Sequence, residues 1–128
     1  MNLSKGDFPF ATANQIPRLM MEFEKGPLRE YTPCQFTVVD EIIRAVAVVH
    51  TELLLIHPFR EGNGRVARLL AILMALQAGL PPLDFGSIKG RKRHEYFAAV
   101  RAGLDRDYKF MEKVFNAVIR RTRRVHEV

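Results

Sequence analysis

Between Phe36 and Ile56 the chain reads FTVVDEIIRAVAVVHTELLLI. Phe36, Val39, Ile42, Ile43, Val46, Val49, Leu53 and Ile56 recur mostly three or four residues apart, which is helical spacing. Together they cover most of the circumference, and Asp40, Glu41, Arg44 and Thr51 leave only a narrow polar stripe. A helix apolar nearly all round has to be buried by its neighbours. This segment therefore reads as the central helix of an all-α bundle. Just ahead of it, Thr32-Pro33-Cys34-Gln35 has the form of a capping box with proline at the first helical position. That pattern predicts that the helix begins at Pro33.

Outward from the central helix, prolines and glycines divide the rest of the chain into four further helical pieces. A first piece is expected from about Gln15 to Lys25, with Ile16, Leu19, Met20 and Phe23 on one face and Gly26-Pro27 as its stop. A third runs from about Gly64 to Ala78 and ends at Gly79. A fourth spans Arg91 to Ala102, and a fifth runs from Asp107, a plausible N-cap, to Arg124. Strand signals are weak and allow at most a short hairpin or flap strand near Asp7–Ala11. The expectation is one domain over residues 1–128.

Composition narrows the function. The 128 residues carry 20 Lys+Arg against 14 Asp+Glu, a net charge of +6, and a single cysteine, Cys34. One cysteine forms no internal disulfide, which disfavours a secreted scaffold and suits the cytoplasm. The longest apolar run, Leu69–Leu76, is too short to span a bilayer, so no membrane role is expected. The basic surplus admits nucleic acid as a rival partner, or a small phosphorylated ligand, an acidic partner, or solubility alone.

The chemistry concentrates between the second and third helical pieces, in His57-Pro58-Phe59-Arg60-Glu61-Gly62-Asn63-Gly64-Arg65-Val66-Ala67-Arg68. Gly62, Asn63 and Gly64 can take turn conformations whose successive N–H groups form an anion-binding nest. The nest opens onto a helix N-terminus, where free N–H groups and the dipole add to it. Arg65 and Arg68 are three apart on that first turn and suit a highly charged anion such as a polyphosphate. Glu61 would repel phosphate alone but becomes useful holding Mg²⁺ against it. His57 ends the preceding helix, where the dipole favours its protonated form and strengthens it as a base. Phe59 is expected to pin the loop into the core. A base, a metal-binding acid and a phosphate cradle within twelve residues suit transfer of a phosphorus group.

This segment resembles the signature of Fic-domain proteins, His-Pro-Phe-x-(Asp/Glu)-Gly-Asn-Gly-Arg-x-x-Arg, at every defined position. The resemblance extends from about residue 5 to 116, leaving a basic helix end at 117–128. Gly6-Asp7-Phe8-Pro9 looks like the end of the family's flap, and Gln77-Ala78-Gly79-Leu80-Pro81-Pro82 and His94-Glu95-Tyr96-Phe97 also fit. It implies a compact helical bundle and a Mg²⁺-dependent protein adenylyltransferase that moves AMP from ATP to a Tyr, Thr or Ser hydroxyl. His57 would be the general base and Glu61 the Mg²⁺ ligand, with Gly62, Asn63, Gly64, Arg65 and Arg68 on the phosphates. Tyr96 and Phe97 would border the adenine, although packing of their own helix explains them equally well. The target protein would dock on the flap. Alternatives from the same resemblance are a non-catalytic nucleotide-binding module, another nucleotide, or removal of AMP.

Many members carry an inhibitory helix marked Ser/Thr-x-x-x-Glu-(Gly/Asn). Thr37 to Glu41 matches its first part only, because Ile42 follows. Restraint could come from a separate antitoxin-like protein or a longer chain, or be lacking, and delivery into a host cell stays open. The basic tail, Arg120, Arg121, Arg123 and Arg124, reads as solvated charge complementing a helix end rather than as a nucleic-acid site.

Overall fold

A computed structural model describes residues 4–5, 8–9 and 11–126, with side-chain surroundings from 11 to 125. Two short strands, β1 (Ser4–Lys5) and β2 (Phe8–Pro9), pair antiparallel. Gly6, Asp7 and Phe10, within the expected flap, lie outside the described residues. The remaining elements are helical: α1 (Ile16–Phe23), α2 (Arg29–Tyr31), α3 (Val39–Ile56), α4 (Asn63–Gln77), α5 (Arg91–Ala102) and α6 (Lys109–His126). The all-α expectation with a small N-terminal hairpin is met. No described helix is long and apolar enough to cross a membrane.

The middle of α3 is buried on every face, from Ala45 to Thr51 without a break. Neighbours enclose it. α4 folds back along it, and Gln77 at the far end of α4 accepts from the Cys34 N–H at 2.8 Å through its Oε1. α6 also runs antiparallel to α3. Tyr108 donates to Glu52 near one end, and Arg44 meets Glu112 at 3.6 Å towards the other. α5 and α6 form a hairpin through a turn at Gly103–Asp105. The motif loop therefore lies at one end of the bundle. Residues 80–87 and the end of α6 lie at the other, where Asp84 N–H donates to Thr122 Oγ1 at 2.9 Å.

Four expectations need correction. The central helix starts at Val39, not Pro33. Thr32 is extended, as the residue before proline prefers, and its hydroxyl bonds the Leu28 carbonyl behind it. With Cys34 tied to α4, residues 33–38 run non-helical into α3 instead of forming a helical turn. Gly26-Pro27 does not stop the first helix. It lies inside a wide π turn (Glu24–Leu28) that leads into α2. Proline has no N–H and crowds the preceding turn, and a widened turn relieves both problems. Thr51 is fully buried rather than part of a wet stripe. Gly103 packs so close that a Cβ there would lie 2.3 Å from Thr51 Cγ2. Finally, Phe59 is 49% exposed and does not pin the loop.

Candidate active site

Two left-handed residues bracket the loop between α3 and α4. His57, the C-cap of α3, has φ 54° and ψ 56°, and its N–H donates to the Leu53 carbonyl at 3.1 Å. Gly62, the N-cap of α4, has φ 82° and ψ 10°. For Gly62 that conformation is easy. For His57 it carries strain of the kind that persists where surroundings over-determine the backbone, often at functional sites. His57 itself is half-buried at the start of the loop.

The loop is closed by Asn63. Its Oδ1 accepts from the Phe59 N–H at 2.9 Å, and its Nδ2 donates to the Phe59 carbonyl at 2.6 Å. Asn63 is only 5% exposed. Its side chain is therefore occupied in shaping the loop, and what it can offer an anion is its backbone N–H. The N–H groups of Asn63, Gly64 and Arg65 open α4 and have no acceptor within the helix. The first intrahelical bond runs from Val66 N–H to the Gly62 carbonyl at 2.9 Å.

Arg68 folds back over this turn. A Cβ on Gly64 would lie 3.1 Å from Arg68 Nη1, so the missing side chain is the space the guanidinium uses. Its charge is felt at His50 and Tyr96, where it opposes protonation. Arg65, by contrast, points into solvent, as does Glu61. The structure thus brings Arg68 and the nest together and leaves Arg65 and Glu61 on the exposed rim. Among the described residues no group of three His, Cys, Asp or Glu could hold a metal. One exposed carboxylate beside an anion nest still fits Mg²⁺, which binds through one or two carboxylates plus substrate phosphates.

Tyr96 is 8% exposed, and its hydroxyl lies 2.5 Å from His50 Nε2. Phe97 is half-buried, edge-on to Tyr96 at 5.8 Å, with Arg93 stacked over it at 5.6 Å. The hydroxyl of Tyr96 is therefore committed to the interior.

His50 is a buried polar residue behind the loop that motif reading misses. Its Nδ1 lies 3.1 Å from the Ala67 carbonyl on the first turns of α4. A carbonyl only accepts, so Nδ1 carries the proton and Nε2 accepts from Tyr96. Burial pulls the pKa of His50 down to about 4, which keeps it neutral. Burial also raises that of Tyr96, which keeps its donor proton. The chain Tyr96–His50–Ala67 ties α5, α3 and α4 together just behind the nest. The available signal was a histidine inside the most apolar part of α3, seven residues before His57 and so on nearly the same face.

The bundle thus carries at one end a loop that runs from a strained histidine to the N-terminus of α4. A family model described as the Fic/DOC family matches residues 1–75, more than half of this chain, and the chain belongs to that family. Among curated relatives, protein adenylyltransferase fic-1 of Caenorhabditis elegans is 44% identical over 62 residues, covering 48% of this chain and 11% of its own length. Protein adenylyltransferase Fic of Drosophila yakuba is 32% identical over 89 residues, covering 70% and 16%. The chain thus spans a small part of these relatives. Among solved structures, the N-terminal Fic domain of a Bartonella quintana effector superposes with TM-score 0.72 at 28% identity, over 92% of this chain and 53% of that one. BepC from Bartonella tribocorum, solved with bound AMPPNP, has TM-score 0.74 at 24% identity over 91% and 55%, a likeness of fold.

Proposed function

We propose that this chain carries the catalytic core of a protein adenylyltransferase. The observation that supports the reading most is the loop from His57 to Arg68. The three N–H groups that open α4 and the Arg68 guanidinium converge at its N-terminus, beside the strained His57. The names of the curated relatives point the same way.

In this reading the polyphosphate of ATP lies on the N–H groups of Asn63, Gly64 and Arg65, with Arg68 offsetting its charge. Helix N-termini favour such anions, and the guanidinium adds charge-assisted bonds. Glu61 would hold Mg²⁺, whose charge would neutralise the phosphates. His57 takes the proton of a target Tyr, Thr or Ser hydroxyl as the oxygen bonds to the α-phosphorus. The bond between the α-phosphorus and its bridging oxygen breaks, and pyrophosphate leaves. The barrier falls mainly through positioning and charge stabilisation.

The test is incubation with α-labelled ATP, Mg²⁺ and a cell lysate, beside the His57→Ala variant. The expected result is label on protein with the parent chain and a loss of at least about a hundredfold with the variant. Equal labelling by both would end the assignment of His57. ATP binding without transfer would turn the reading into a nucleotide-binding module.

A further inference from the structure

At the opposite end of the bundle from the loop, two cationic helix ends meet. α5 opens with Arg91, Lys92 and Arg93, and α6 closes with Arg120, Arg121, Arg123 and Arg124. Their hairpin packing puts Lys92, Arg120, Arg121 and Arg124 around a cleft of about 240 Å³, with Ser87 and Asn116 also on its walls. This is a different place from the nest. It lies roughly 20 Å along α6 from the end that packs near Glu52.

The charge arrangement is unfavourable for a protein alone. Lys92 occupies the first turn of α5, where the helix dipole is positive and a cation is out of place. Arg120 and Arg124 are four apart on α6, a like-charge pair on one face. Among the described residues no carboxylate lines the cleft. One nearby, Asp84, pairs with Arg121 at 3.2 Å and leaves Lys92, Arg120 and Arg124 in excess. A multiply charged anion turns this repulsion into attraction. Guanidinium groups present paired N–H donors that match phosphate oxygens, and Ser87 and Asn116 supply neutral donors.

We propose that this α5–α6 cleft binds a small anion bearing one or two phosphate groups, free or at the end of a larger metabolite. Its volume is below that of ordinary pockets for drug-sized ligands, which suits phosphate groups without a nucleoside. Nucleic acid is disfavoured because, among the described residues, no aromatic side chain lines the cleft to stack on bases.

Inorganic pyrophosphate titrated into the ¹⁵N-labelled chain tests this. The expected result is saturable shifts at the amides of Ser87, Lys92 and Asn116. These shifts persist in an Arg65→Ala/Arg68→Ala variant, which disables the nest. They need about tenfold or more ligand in Lys92→Ala/Arg124→Ala, two substitutions at exposed positions. Shifts confined to residues 62–65, or equal affinity in the Lys92/Arg124 variant, would overturn the site. A single-stranded oligonucleotide that saturates these amides while pyrophosphate does not would also overturn the assignment and give the cleft to nucleic acid. A phosphomonoester such as glucose 6-phosphate separates free from attached phosphate, and saturation by either supports the class.

Discussion

His57 and Gly62 adopt similar left-handed backbones at different cost, and the costly one is the residue proposed as the base. Gly62 has nothing within 4 Å of the position a Cβ would take, so its φ of +82° is what a glycine serves there. His57 has no such freedom and is held by the end of α3 and the closed loop. Support for that loop comes partly from His50, whose neutral ring braces the first turns of α4. The burial of that ring makes stability depend on pH. Unfolded, His50 titrates near 6.5; folded, burial lowers it to about 4. Above pH 6.5 both states are neutral and no dependence arises. As pH falls from 6.5 towards 4 the unfolded state binds a proton that the folded state refuses, and stability is lost. The loss approaches about 3 kcal/mol, and below pH 4 this contribution levels off. Unfolding free energy measured from pH 7 to 5 should therefore fall more steeply in the parent chain than in His50→Gln. Equal slopes would mean that His50 charges freely in the folded state.

Helices carried by local pattern were legible in the sequence, while those shaped by distant contacts were not. α5 runs from Arg91 to Ala102 as its punctuation predicts, and α4 starts within one residue of expectation. Gly90 and Gly62 mark those starts with positive φ, a signal contained in the residue itself. The start of α3 misleads because the Thr32–Gln35 pattern is complete locally. What overrides it is the Gln77 amide, 43 positions away. The closeness of α3 to the α5–α6 turn was equally hidden, since Thr51 reads as part of a polar stripe. Gly103 is in fact the residue that lets the turn touch α3. Gly103→Ala should cost about 1–3 kcal/mol, because its Cβ would meet Thr51 Cγ2 at 2.3 Å. Thr51→Ala removes both that methyl and a buried hydroxyl without a hydrogen-bond partner. The double variant should therefore be more stable than the sum of the singles predicts, by about 1 kcal/mol or more. Simple additivity in urea unfolding would place the strain elsewhere.

Across the whole molecule the +6 charge is not spread evenly. Part of it lies around the loop at one end of α3 and part at the joined ends of α5 and α6. A surplus that first suggests nucleic acid is thus divided between the two places proposed to hold phosphate. The motif residues of the first place were legible as a set. Their division of labour was not, because Asn63 turns its side chain inward and Arg68 reaches back over Gly64 only in the folded chain. That division predicts how ligands act on global stability. A ligand that binds only the folded state at a hundred times its Kd adds about 2.7 kcal/mol. If Arg68 meets the terminal phosphate, ATP should raise the unfolding midpoint more than ADP does, and Arg68→Ala should remove most of the difference. Equal losses for both nucleotides would place Arg68 on an inner phosphate. His57→Ala, beside the nest but not part of it, should keep the ATP-induced rise while losing transfer. A variant that lost both together would show that the strained histidine is needed to shape the nest, and binding could then no longer be separated from chemistry.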